Sequence, residues 1–208
     1  MLPRALHSPF VKTRTRAALA LATTSVLLLG AVGPAHAAKH VRTDAAADVV
    51  RINPETDAQS GAPDVNQGDI RRFVVDHRAG NVFVTARFND LSRGRQTHIH
   101  ALQLLTSSLR RDVTIVVAPQ TGWQGRAFFT DRTDNEQRCA HLTTRVAWDT
   151  NVVRVKVPRS CLAGPSWVRA GYGYFRVTPK EEVFADEAYR NGAVGDVKPQ
   201  FGPRVHRG

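Results

Sequence analysis

The sequence predicts an all-β protein, an antiparallel β-sandwich of the jelly-roll or immunoglobulin-like type. Three observations lead to this prediction. Short segments of alternating apolar and polar residues recur along the chain, and Gly, Pro and Asn punctuate them at short intervals. Only residues 181–190 have helical character, enough for one short helical turn. Alternation with a period of two places apolar side chains on one face of a strand, and several such strands form stacked sheets.

The clearest element is a hairpin in "GDIRRFVVDHRAGNVFVTARFNDL", residues 68–91. In "VFVTARF", residues 82–88, every second side chain is apolar, as in a strand with one buried face. The "RAGN" before it supplies the Gly and Asn that a tight reversal needs. The pattern therefore predicts that residues 70–77 pair with residues 82–90.

The remaining strands follow in order along the chain. "ADVVRI" predicts a short first strand, and a loop or single helical turn is predicted in "RSCLAGPS". The predicted organisation is an N-terminal strand and polar loop (38–67), a sandwich core (68–178) and a partly irregular C-terminal extension (179–208). The other predicted strands are "THIHALQLLT", "RDVTIVVA", "RAFFTD", "AHLTTRVAWD", "VVRVKV" and "WVRAGYGYFRV".

Residues 1–37 have the pattern of a signal peptide. Four basic residues precede the apolar run "AALALATTSVLLLGAVG", and "PAHA" places small residues where a signal peptidase reads them. The run is short for a membrane anchor and lacks a basic flank after it. We therefore expect cleavage before Ala38 and a secreted, extracellular protein that could remain associated with the cell surface, without a transmembrane anchor.

The part of the chain after residue 37 is basic. Residues 38–208 contain 25 Lys and Arg against 18 Asp and Glu, a formal net charge of +7. This balance favours anionic partners such as a cell-wall glycan or another envelope polyanion. No run of Lys or Arg and no nucleic-acid-binding motif concentrates the charge.

Two cysteines, Cys139 and Cys161, lie in the predicted exported part. An even number outside the cytoplasm predicts one disulfide bond. Metal or redox thiols usually occur as a close CxxC pair or with companion ligands, and neither pattern is present. We expect the disulfide to stabilise the fold by roughly 3 kcal/mol.

Two segments carry a resemblance to a known group of proteins. The "GDI" opening with a strand ending in "FNDL", and the later "VRVKVPRSCLAGPSWVRAGYGY", resemble secreted DOMON-like and family-9 carbohydrate-binding-like β-sandwiches over Asp44 to Val177. The resemblance implies a module that binds sugar or haem. Haem-binding members use a Met and His axial pair, whereas this chain has a single Met, Met1, in the predicted signal peptide. Ligation of haem by Met and His is therefore not expected.

His98 and His100 are the leading metal candidates. Alternate residues of a strand share a face, so both imidazoles could meet one ion such as Zn²⁺, with His77, His141 or a carboxylate as third ligand. The alternative is that both lie on the exposed side of a sheet without a metal. No cofactor is required by the sequence itself.

Carboxylates offer a second candidate, a calcium site. Asp44, Asp48, Asp64 and Asp69 lie near predicted loops that could converge at one end of a sandwich, and Ca²⁺ prefers oxygen ligands. The alternative role is capping of turns and strand ends, and the same two readings apply to Asp186 and Glu187.

Aromatic residues offer a third candidate, a sugar-binding surface. Tyr172 and Tyr174 share a face of a predicted strand about 7 Å apart, and Trp123 lies in a predicted loop. Exposed rings could stack on a glycan. The alternative is that the tyrosines point inward and complete the core, with their hydroxyls hydrogen bonded at its rim.

The sequence contains no HExxH motif and no GxSxG motif, so it gives no sign of a catalytic apparatus. We expect a secreted, non-enzymatic binding module, with glycan or wall polymer as the leading ligand class. The alternatives are a metal-dependent protein or hydrolase that uses His98 and His100, and a structural or partner-binding envelope protein without a small ligand.

Overall fold

The structure is a computed structural model that describes residues 38–195 and 199–208. The predicted signal peptide lies outside the described residues. Thirteen strands and two short 3₁₀ helices, Trp148–Thr150 and Arg159–Leu162, make up the described part. The strands are β1 Ala38–Thr43, β2 Val50–Ile52, β3 Gln59–Gly61, β4 Ile70–His77, β5 Asn81–Phe88, β6 Thr97–Leu105, β7 Arg110–Val117, β8 Arg126–Asp131, β9 Thr143–Ala147, β10 Val152–Pro158, β11 Trp167–Val177, β12 Val183–Glu187 and β13 Val205–His206.

The strands form two antiparallel sheets that pack together, which confirms the predicted β-sandwich. The five-stranded sheet has the order β1-β4-β5-β10-β9. The eight-stranded sheet has the order β3-β2-β12-β11-β6-β7-β8, and β13 pairs with β11 beside this path. None of the described helices is long and apolar enough to cross a membrane.

The core lies between the sheets and is built mainly from every second residue of the longer strands. Phe73 and Val84 contribute from the five-stranded sheet, and Leu102, Ile115 and Tyr172 from the eight-stranded sheet, each at most 1% exposed. Burial of a side chain of this size stabilises the folded state by roughly 1.5–3 kcal/mol. The alternation seen in the sequence is therefore the alternation between core and solvent.

The predicted hairpin is confirmed as β4 and β5. Val75 lies opposite Val84, and the Arg78 N–H donates to the Asn81 carbonyl at 2.9 Å to close the turn. The predicted disulfide is also confirmed, since Cys139 and Cys161 are bonded with their Cα atoms 5.5 Å apart. It joins the segment after β8 to the 3₁₀ helix that follows β10.

Two predictions about the flanking segments were wrong. Residues 38–67 form three strands rather than one, and residues 183–187 form strand β12 where a helical turn was predicted. Strand β12 lies between β11 and β2, and four of its five residues are buried. A strand covered on both faces does not alternate, and its Ala and Glu residues favour a helix when judged alone.

Candidate functional site

Two histidines and two tyrosines form a polar layer inside the core. Strands β6 and β11 are neighbours, with His100 opposite Tyr174 in the register. The Nδ1 atom of His98 lies 2.7 Å from the Tyr174 hydroxyl, and that of His100 lies 2.9 Å from the Tyr172 hydroxyl. We call these four residues the His–Tyr layer. Their mutual hydrogen bonds satisfy groups that the core would otherwise leave without a partner.

Burial keeps the His–Tyr layer uncharged. It lowers the pKa of His98 to about 4, with a further contribution from Arg176, and lowers the pKa of His100 to about 3. It also raises the pKa values of both tyrosines. Each imidazole packs perpendicular to an aromatic ring, His98 against Trp148 and His100 against Phe88. All four members are therefore neutral at pH 7.

The structure does not support the predicted metal site at His98 and His100. The two side chains share a face as predicted, but both are completely buried and their Nδ1 atoms already contact tyrosine hydroxyls. Within residues 38–195 and 199–208, no cluster of three metal-ligating groups contains a histidine. His77, proposed as a third ligand, is also fully buried, and its Nδ1–H donates to the Val205 carbonyl at 3.0 Å.

The predicted aromatic surface is also corrected. Tyr172 and Tyr174 are each 1% exposed, so they fill the core and present no ring to a sugar. Trp123 is half-buried, with its ring perpendicular to that of Trp148, and its carbonyl accepts a hydrogen bond from Trp148 Nε1 at 2.7 Å. The three residues do not form one exposed surface.

Three chain segments bring carboxylates together at one end of the sandwich. Asp48 lies in the loop between β1 and β2, Asp69 immediately precedes β4, and Asp186 lies on β12. One oxygen from each lies within 4.8 Å of the others, and Asp44 interacts electrostatically with all three. We call these four residues the carboxylate cluster. Asp64, the other predicted member, lies in an exposed loop.

Burial and mutual repulsion disfavour charge in the carboxylate cluster. Burial, together with the neighbouring Asp48 and Asp44, raises the pKa of Asp186 to about 8. Burial and the neighbouring Asp48 raise the pKa of Asp44 to about 7, and burial also raises the pKa of Asp48. The nearby positive groups are Arg71, 3.4 Å from Asp69 Oδ2, and Arg42. Four ionised carboxylates beside two guanidinium groups would leave a net charge of about −2.

The outer face of the five-stranded sheet is basic. Arg72 lies directly opposite Arg87 on neighbouring strands, and Arg154 lies directly opposite Arg145. Lys156, two residues from Arg154 on β10, points to the same side. We call these five residues the outer basic face. Among the described residues, none of the five takes part in an ion pair.

The outer basic face contains a shallow groove of about 410 Å³. Its rim carries Arg145, Arg154 and Lys156, and Phe83 and Thr85 contribute part of its lining. Asp76 is the only acidic residue on this side of the five strands, and it forms an ion pair with Arg78 at 2.7 Å. Three of the nine residues that line the groove are thus cations, and none is acidic.

Comparisons with protein-family models, with curated proteins and with solved structures each found no match. Functional inference therefore rests on the chemistry of the sites described above.

Proposed function

We propose that this protein is an exported, non-enzymatic binding module for an anionic polymer of the cell envelope, such as an acidic glycan or wall polymer. The signal-peptide pattern and the disulfide support a location outside the cytoplasm. The outer basic face is the observation that carries the choice of ligand.

Two pairs of like charges in direct register support this choice. Arg72 opposite Arg87, and Arg154 opposite Arg145, each place two arginines on adjacent strands with their Cβ atoms about 5 Å apart. Directly opposed like charges destabilise a sheet. An anion that bridges both groups removes this repulsion, and guanidinium groups bind carboxylate and phosphate through two parallel hydrogen bonds.

The geometry favours a repeating anion over a small one. The Cβ atoms of the basic residues are spaced about 5 Å apart across strands and about 7 Å apart along β10, from Arg154 to Lys156. The groove lies on the outer face of three neighbouring strands, β5, β10 and β9. A polymer with regularly spaced carboxylates or phosphates can therefore contact several of these cations at once.

The test is binding of the purified protein to two anionic polymers, a phosphate-containing wall polymer and polygalacturonate. Neutral dextran is the comparison polymer. We expect binding to the two anionic polymers that weakens steeply with salt, because association releases counterions. The double variant Arg145→Gln/Arg154→Gln should lower the slope of log affinity against log salt by about two.

Arg95→Gln/Arg132→Gln is the matched control, since it removes two exposed arginines that lie in loops away from the outer basic face. We expect this control to retain the salt slope of the unmodified protein. Equal binding to neutral dextran, or an equal loss of slope in both double variants, would refute the assignment of the binding surface.

A further inference from the structure

In Asp48, Asp69 and Asp186, one carboxylate oxygen accepts a hydrogen bond from a backbone N–H and the other oxygen does not. Asp186 Oδ2 accepts from the Ile70 N–H at 2.6 Å, Asp69 Oδ2 from the Ala47 N–H at 3.3 Å, and Asp48 Oδ2 from the Gly192 N–H at 3.3 Å. In each of the three, the second oxygen, Oδ1, is buried and has no hydrogen-bond partner among the described residues.

Unpartnered oxygens of this kind are unusual inside a folded protein. Asp186 is 0% exposed and Asp69 is 1% exposed, so water has little access to their free Oδ1 atoms. A buried polar atom without a partner costs roughly 1–3 kcal/mol, and more when it is charged. Each of the three carboxylates is thus fixed by a backbone N–H on one oxygen and keeps its other oxygen free to accept, and one oxygen of each lies within 4.8 Å of the others. This arrangement indicates acceptors that are available to a ligand.

We propose that Asp48, Asp69 and Asp186, with Asp44 beside them, form a binding site for a calcium ion. A cation with oxygen ligands at 2.3–2.6 Å spans about 5 Å between opposite ligands, which accommodates oxygens within 4.8 Å of one another. The donors are all carboxylate oxygens, without His or Cys, which favours Ca²⁺ over Zn²⁺. The net charge of about −2 matches a divalent ion.

The three carboxylates come from three separate segments of the chain. The β1–β2 loop supplies Asp48, the residue before β4 supplies Asp69, and β12 supplies Asp186. The ion would therefore link the edge of the five-stranded sheet to the middle of the eight-stranded sheet. None of its residues belongs to the outer basic face, so this inference does not depend on the proposed function.

The test is calorimetric titration of the chelator-treated protein with CaCl₂, together with its melting temperature. We expect stoichiometric binding, and a rise in melting temperature of about 5–10 °C when free calcium exceeds the Kd about 100-fold. MgCl₂ should give a smaller rise, because Mg²⁺ requires a closer octahedral shell. ZnCl₂ should give none.

The decisive variants are Asp186→Asn and Asp48→Asn, with Asp64→Asn as the control. Asn at position 186 keeps an oxygen for the Ile70 N–H but cannot ionise, so the metal-free variant should melt higher than the unmodified protein while losing the calcium-induced rise. Asp48→Asn should lose that rise as well, and the exposed Asp64→Asn should keep it. No binding heat with the unmodified protein, or an undiminished rise in both cluster variants, would overturn the proposal.

Discussion

The His–Tyr layer and the carboxylate cluster are both buried sets of polar side chains, yet they have opposite requirements. In the His–Tyr layer, each imidazole meets a tyrosine hydroxyl and every member is neutral at pH 7. In the carboxylate cluster, like groups lie near one another, and the Oδ1 atoms of all four members lack a partner among the described residues. The first set is neutral at pH 7 without any ligand, although the Nε2 atoms of His98 and His100 also lack a partner among the described residues. The second set requires a proton or a cation to offset the repulsion between its carboxylates.

This difference predicts opposite responses to pH. The pKa values of His98 and His100 are lowered by burial, so the unfolded state binds more protons below pH 6.5 and acid destabilises the layer. The pKa values of Asp44 and Asp186 are raised by burial and by neighbouring carboxylates, so the metal-free cluster is destabilised as the pH rises.

The largest effect is expected from Asp186→Asn in chelator. Between pH 3.8 and about 8, the folded state holds a proton on Asp186 that the unfolded state has released, so rising pH lowers stability. Asn does not titrate. The free energy of unfolding of the variant, relative to the unmodified protein, should therefore increase by about 1.4 kcal/mol per pH unit across this range.

Urea unfolding at pH 5, 6, 7 and 8 measures this difference, with Asp64→Asn as the control that should follow the unmodified protein. Parallel pH profiles for Asp186→Asn and the unmodified protein would show that Asp186 is ionised in the folded state without a cation. The carboxylate cluster and the His–Tyr layer would then not respond to pH in opposite directions.

A smaller effect is expected when one bond of the His–Tyr layer is removed. Tyr174→Phe leaves the His98 Nδ1 atom buried without its partner and should lower the free energy of unfolding by about 1–3 kcal/mol at pH 7. In the double variant His98→Leu/Tyr174→Phe no orphaned atom remains, so part of the loss should be recovered. Urea unfolding measures the free energy of unfolding of each variant. If the double variant loses as much stability as the single variants His98→Leu and Tyr174→Phe lose together, the two residues do not act as a pair.

The smallest effect is expected on the outer basic face. Arg145→Thr removes one of two opposed arginines on adjacent strands, so it should raise the free energy of unfolding by about 0.2–0.5 kcal/mol at low salt. The gain should disappear in 0.5 M NaCl, where exposed charges are screened. Thermal melts at both salt concentrations measure it, and a gain that persists at high salt would assign the effect to strand propensity.

Much of the fold could be predicted from the sequence because the core is formed by alternation. The strands "RAFFTD" and "WVRAGYGYFRV" have the predicted bounds, β8 Arg126–Asp131 and β11 Trp167–Val177. Alternation identifies which residues share a face, but not which face is inside. His98 and His100 share their face with Leu102 and Leu104, and these two leucines were the signal that this face is buried.

The sites were harder to predict because they depend on strand pairing. Arg72 and Arg87, like Arg145 and Arg154, become neighbours only through the register of separate strands. Their outward positions in alternating segments were visible, but their convergence was not. Asp44, Asp48 and Asp69 lie near predicted loops that could converge, and Asp186 had the same two readings, a calcium site or capping. That Asp186 lies beside the other three depends on the pairing of β12 with β2 and β11, which the sequence does not show.

The position of β12 also affects the order in which the strands can pair during folding. Val50 on β2 pairs with Ala185 on β12, so β2 and β3 have no sheet to join until residues far downstream have emerged from the ribosome. Pairings between such distant segments form slowly, and unpaired edges invite aggregation in the interval. The nascent chain therefore completes its eight-stranded sheet only after translation has passed β12.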